Sequence, residues 1–151
     1  MLVELYRTYV GDYPKFFKMD TLSRLGFIAA ELILKESRVQ NTEYRPDAII
    51  LANRSASIKN DKDYLDTISE GKYYPSPALF VYTLPNIVTG EIAIRHHIQG
   101  ETSFYILDKP EQLEPIIRST FNIQPSTLLA GWCECSGQNE FYAKLQIIWN
   151  N

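Results

Sequence analysis

Residues 75–107, PSPALFVYTLPNIVTGEIAIRHHIQGETSFYIL, constrain the chain more than any other stretch. They open on a rigid Pro75-Ser76-Pro77 turn and pass through a short apolar run, residues 78–82. Ile87, Val88, Ile92, Ile94 and Ile98 then recur largely at helical spacing, Gly100 is read as the helix stop, and aromatic and branched residues resume as a strand over 103–107. Gly90 inside the helix costs up to ~1 kcal/mol relative to Ala, so the sequence predicts close packing against another backbone there. A helix apolar on more than one face that feeds directly into a strand is expected at the buried centre of an α/β sandwich.

The remaining sequence is read around that centre. Residues 2–10 alternate loosely in Leu, Val and Tyr and are expected to form a first strand, followed by a Gly11–Pro14 turn. Asp20 is positioned to cap a helix over 21–36 whose apolar stripe is Leu22, Leu25, Ala29, Leu32 and Ile33. A polar loop, 37–45, leads to a buried strand at 48–52. Asn60 opens a helix to about residue 70, ended by Gly71. Asp61 and Asp63 lack the glycine and distal glutamate of a calcium loop, and read as acids complementing a helix N-terminus. Residues 111–121 are a polar helical candidate containing Pro115, and 127–135 and 141–149 read as two strands of a hairpin. Strands alternating with helices predict one α/β domain over 1–151, with a mostly parallel or mixed sheet and an antiparallel edge.

Composition narrows the function classes. The chain has 151 residues, 45% of them hydrophobic, and a net charge of −3 without a basic tract, which argues against nucleic acid. No apolar run approaches the ~20 residues of a membrane span, and no signal-peptide pattern stands at the start, so a cytoplasmic protein is expected. Cys133 and Cys135 are too few for a disulfide framework; two apart on a strand, they share one face and read as small core residues. A C-x-C zinc half-site has no second pair of ligands, and no phosphate loop is present, so neither metal nor cofactor is expected.

Several collinear motifs carry a family resemblance. The run S-P-x-L-F-x-x-T-L-P-N-x-V-x-G-x-I-A-I-R-x-x-I-x-G, residues 76–100, resembles the segment before the active-site cysteine of β-ketoacyl-acyl-carrier-protein synthases. Upstream, F-F-K-M-D at 16–20 and its helix resemble their first helix, especially in the bacterial aryl-polyene and polyketide type. The strand 47–53 with Arg54, Ser55, Ala56 and Ser57 resembles their second strand and loop. The resemblance covers residues 14–107. It implies a thiolase-like half-domain, a five-stranded mixed sheet flanked by helices.

The departures from the family pattern matter as much. A condensing enzyme needs a cysteine at a helix N-terminus, where the dipole lowers the thiol pKa. In the family it lies about nine residues after the glycine matched by Gly100. That turn here reads Leu107-Asp108-Lys109-Pro110, with no cysteine or serine. The family's catalytic histidines and lysine belong to its second half, which has no counterpart in these residues. His96 and His97 match no catalytic position and are assigned structural or solvent-facing roles. In the helix after the turn, Glu111, Gln112, Glu114 and Arg118 are expected to face water, with Leu113, Ile116, Ile117 and Phe121 as the buried face.

Two readings result. In the first, the chain is a non-catalytic interaction or accessory subunit in fatty-acid-like, polyketide or aryl-polyene biosynthesis, without a catalytic residue of its own. The resemblance implies that the edge Ser103, Phe104, Tyr105, Ile106 and Leu107 pairs with a second copy, or with a full ketosynthase subunit as chain-length factors do. Acyl carrier protein is a further implied partner, although no concentrated basic patch meets it. In the second reading, the chain binds a small molecule or acyl group, or is an unrecognised acyltransferase. Asn53, Arg54 and Ser55 follow a strand C-terminus, where open α/β sheets bind ligands, and Thr83 and Asn86 lie near the implied acyl pocket. Ser57 belongs to the first of these groups and Tyr82 to the second. Turn chemistry, and a helix cap for Thr83, are the competing explanations.

Overall fold

The computed structural model describes residues 1–40, 45–69, 72–123, 125–137 and 139–150. Helix α1 spans Leu2–Tyr9 and a 3-10 turn spans Pro14–Lys18; α2 is Thr21–Gln40, β1 Ala48–Asn53 and α3 Ile58–Leu65. A two-stranded ribbon, β2 Ile68–Ser69 and β3 Lys72–Tyr73, precedes α4 Pro77–Val81 and α5 Ile87–His96. Strand β4 is Thr102–Ile106; a second 3-10 turn, Pro110–Gln112, enters α6 Leu113–Phe121, and β5 Thr127–Cys135 and β6 Phe141–Trp149 close the chain.

The main sheet has the order β4-β1-β5-β6. Strand β1 runs parallel to β4 and β5, and β6 is antiparallel to β5, as the hairpin reading requires. The sheet is mixed and flanked by helices, but it has four strands, not five. The missing strand is the expected one at 2–10, which is α1. Leu2, Leu5, Tyr6 and Tyr9 stand at i, i+3, i+4 and i+7, a helical period that outweighs the loose alternation. Tyr6 lies at the centre of that face, 3% exposed, stacked on Phe16 with ring centroids 4.2 Å apart.

Strand β1 is buried along its whole length, as a central strand must be. Its two faces divide by the period of two. Ile49 and Leu51 join Leu129, Ala30, Leu34, Val88 and Ile92 beneath α2 and α5, whereas Ile50 and Ala52 join Leu128, Ala130 and Trp132 against Leu113 and Ile117 of α6. Each such aliphatic side chain contributes roughly 1.5–3 kcal/mol when fully buried.

Asp20 caps α2 as expected, accepting from the Ser23 N–H at 3.0 Å. The stripe assigned to that helix is too narrow. Leu32 is exposed, and the buried set is Leu22, Leu25, Phe27, Ile28, Ala30 and Leu34, because α2 lies between the sheet and the N-terminal aromatic layer. Helix α3 ends earlier than expected, and Gly71 lies outside the described residues.

The stretch 75–107 is central only in part. Val88, Ile92 and Ile98 are buried, but Phe80, Leu84 and Ile94 are each more than half exposed, and α4 buries no residue. A Cβ at Gly90 would meet nothing within 4 Å, so the close contact expected there is absent. It occurs instead at Gly26, where a Cβ would lie 2.4 Å from Val88 Cγ2, which lets α2 and α5 approach. Gly100 does not end the helix. That role falls to His97 in the left-handed region, and Gly100 makes room for the Asp47 carbonyl, 2.2 Å from where its Cβ would be.

Candidate functional site

Strand β4 is an edge strand. The Ile49 N–H donates to the Glu101 carbonyl at 2.8 Å, and the Leu107 N–H donates to the Asn53 carbonyl at 2.8 Å. A parallel ladder takes its bonds from alternate residues, so Glu101, Ser103, Tyr105 and Leu107 turn their backbones toward β1. Thr102, Phe104 and Ile106 present theirs outward, where no strand among the described residues pairs with them. Of the five edge residues named from sequence, four lie in β4 and Leu107 directly follows it. Phe104 packs toward the α2–α5 core, whereas Tyr105 and Leu107 pack toward α6.

The turn beyond this edge, Leu107-Asp108-Lys109-Pro110, holds no cysteine or serine. Asp108 and Lys109 are exposed, and the Lys109 N–H donates to Gln112 Oε1 at 2.9 Å. Glu111, Glu114 and Arg118 face water as expected, with Arg118 Nε donating to Glu114 Oε1 at 3.0 Å, while Leu113 and Ile117 are buried and Ile116 and Phe121 half-buried. Helix α6 leaves a furrow on either flank. One, of about 650 Å³, includes Trp132, Tyr142 and Lys144; two adjoining cavities of about 390 and 350 Å³ lie toward β4.

The loop after β1 holds Asn53, Arg54 and Ser55 of the residues assigned to ligand binding, and their backbone and short side-chain groups are largely engaged within the fold. Arg54 N–H donates to Glu134 Oε2 at 2.9 Å, Ser55 N–H to Glu134 Oε1 at 3.3 Å, and the Ser55 hydroxyl also reaches that carboxylate. Asn53, fully buried, accepts from the Ala56 N–H at 2.8 Å and donates to its carbonyl at 2.9 Å, holding Ala56 at φ 50°. Ser57 Oγ lies 2.6 Å from the Thr83 carbonyl and brings that residue to the same loop. The Thr83 hydroxyl donates to the Phe80 carbonyl at 2.6 Å, in the last turn of α4, and does not cap the N-terminus of α5. Asn86 occupies the α5 N-cap position without a side-chain cap bond and is exposed.

Cys133 and Cys135 share one face with Leu22 and Leu25 and are buried. Burial pushes the Cys133 thiol far above its ordinary range and the Cys135 thiol to about 11, so neither is a ready thiolate. His97 is exposed, and His96 is buried with Nε2 at 2.7 Å from Glu31 Oε1. Burial raises the Glu31 carboxyl pKa, but hydrogen bonds and charge from His96 and Arg95 outweigh it and hold the group below the usual carboxylate range. Sequence reasoning passed over Glu31, Glu91 and Glu134. Only position signals them: Glu91 interrupts an apolar helix, and Glu134 sits between two buried cysteines.

No family model matches the sequence, and no curated protein does. Solved structures do. The ketosynthase ApeO in complex with its chain length factor ApeC from Xenorhabdus doucetiae matches with a TM-score of 0.66 at 18% identity, over 82% of this chain and 50% of that one. The ishigamide ketosynthase/chain length factor matches with a TM-score of 0.67 at 21% identity, over 85% of this chain and 37% of that one. The fold is that of ketosynthases and their chain length factors. The chain therefore spans half or less of the solved chains it matches, in agreement with the half-domain inferred from residues 14–107. Among the described residues, no helix is long and apolar enough to cross a membrane.

Proposed function

We propose that this chain is a ketosynthase-like accessory subunit that acts by pairing, not by catalysis, in cytoplasmic biosynthesis of a fatty-acid-like, polyketide or aryl-polyene product. The observation that carries the reading is the open edge β4 followed by a turn without cysteine or serine. Thr102, Phe104 and Ile106 leave outward donors and acceptors that another strand satisfies, and the Leu107–Pro110 turn holds no cysteine or serine to take an acyl group. Both solved relatives contain a ketosynthase and a chain length factor, which supports a full ketosynthase subunit as the partner; a second copy of this chain is the alternative, and acyl carrier protein an indirect one.

Sedimentation equilibrium of the chain, alone and mixed with a ketosynthase subunit encoded beside it, tests the proposal. A defined heterodimer, with condensation activity residing in the partner, is the expected result. A chain that stays monomeric in both samples, or that transfers acyl groups unaided, overturns it.

A further inference from the structure

The backbone of β4 calls for a strand, and the surface beside it specifies which strand. On the α6 side a furrow lies beside the edge, and it adjoins a second cavity at the N-terminal ends of β1, β4 and β5, with which it shares Glu101, Thr120 and Ile123. Tyr105 forms the furrow's floor, with Pro115 and Ile116 on the helix wall. Ile123 is 72% exposed at the furrow's rim. Glu101 brings an exposed carboxylate to one end beside Asp47, whose carboxylate accepts from the Ser126 and Thr127 N–H groups, and among the described residues no lysine or arginine lines either cavity.

We propose that the strand completing the sheet at β4 belongs to a partner segment with aliphatic residues at alternate positions and a basic residue at one end. An added strand lies ~4.8 Å beyond β4, and its alternate side chains, ~6.8 Å apart, point to one face. On the α6 face those side chains enter the furrow against Tyr105, Ile116 and Ile123. The basic residue meets Glu101. Main-chain bonds give affinity and the furrow selects the side chains, the division found wherever a peptide adds to a sheet edge. A second copy of this chain is the poorer occupant, because of its own residues on that face, Ser103, Tyr105 and Leu107, only Leu107 is aliphatic and none is basic. This inference rests on the accessory-subunit reading and names the partner's chemistry.

Three fluorescent peptides, whose first, third and fifth side chains share one face, test it by anisotropy: Lys-Thr-Val-Thr-Val-Thr, the same peptide beginning with Glu, and Lys-Thr-Ser-Thr-Ser-Thr. The first is expected to bind at least ~10-fold more tightly than the other two. Ser119→Trp, which fills the furrow from an exposed position, is expected to cost at least ~10-fold, and Ile106→Pro, which removes an outward N–H, to abolish binding. Equal binding of the three peptides, insensitivity to Ser119→Trp, or displacement of the first peptide by self-association overturns the inference. If a ketosynthase still associates in sedimentation, the accessory reading survives that failure; if it does not, both fail.

Discussion

Lys15 Nζ lies 2.8 Å from Glu91 Oε1, tying the Pro14–Lys18 turn to α5, while Glu91 Oε2 is buried without a hydrogen-bond donor among the described residues. The hydrogen bond that Lys15 donates to Glu91 raises the Lys15 pKa. The two partners are unequally placed, with side-chain exposures of 46% and 7%. Lys15→Met strands a buried carboxylate and is expected to cost ~2 kcal/mol, less than the ~3–5 kcal/mol of a fully buried pair because Lys15 is partly screened by water. Glu91→Gln frees a lysine that rehydrates and is expected to cost less. Urea denaturation of both variants and of the double Met variant checks the order; a double variant no more stable than Lys15→Met contradicts the account.

The glycines of α2 and α5 should respond oppositely to alanine. At Gly26 the added methyl collides with Val88 Cγ2, and Gly26→Ala is expected to destabilise by ~1–3 kcal/mol. At Gly90 it enters open space, so Gly90→Ala is expected to stabilise by up to ~1 kcal/mol through helix propensity. Thermal denaturation of the two variants in one buffer decides the matter.

The cysteines predict an alkaline limit to stability. The Cys135 thiol titrates at about 11 in the folded chain against a reference of 9.0. Between those values the unfolded chain has released a proton that the folded chain retains, so stability falls with rising pH. Its contribution is complete below pH 9 and lost as pH passes through about 11, and Cys133 extends the loss in the same direction. Urea midpoints measured from pH 8 to 11 should fall steadily, and Cys133→Ala/Cys135→Ala should flatten the slope. Iodoacetamide should label neither thiol of the folded chain at pH 8.

What could be read from the sequence was what local pattern determines. The β5–β6 hairpin emerged with its observed bounds because alternation and turn residues agree there, and α6 showed its wet and dry faces because Glu111, Glu114 and Arg118 stand opposite Leu113 and Ile117. Helix α1 was misread because eight residues carry both periods weakly and the deciding contact, Tyr6 on Phe16, joins separate segments. The same holds for Gly26 and Gly90. A glycine signals a close approach without saying where, and only the α2–α5 crossing shows which one needs it. The ligand assignments at Arg54 and Ser55 did not anticipate Glu134, eighty residues away, on the same amides.

That carboxylate leads to a further prediction. Glu134 accepts from two consecutive N–H groups and one hydroxyl of the loop after β1. Glu134→Ala leaves those donors to water and is expected to cost ~1–3 kcal/mol. Amide exchange at Arg54 and Ser55 should accelerate far more than exchange in β1, because the ladder bonds of the strand are untouched. Uniform acceleration through β1 would show that the carboxylate supports the sheet as a whole and not the loop.

The edge strand yields the sharpest contrast, between neighbouring positions. The Ile106 N–H points outward, so Ile106→Pro removes no bond of the β1–β4 ladder and exchanges a half-exposed side chain for a ring that edge positions tolerate. The Tyr105 N–H points inward to β1, so Tyr105→Pro deletes a ladder bond and inserts the ring between paired strands. Ile106→Pro is expected to fold with near-native circular dichroism and to lose less than ~1 kcal/mol, while Tyr105→Pro loses ~3 kcal/mol or more. If both positions tolerate proline, β4 is not held by its ladder; if both fail, the outward side of the strand is already engaged within the fold. Only the asymmetric result leaves an edge free to receive another strand, because a donor can serve a partner only where the fold does not already consume it.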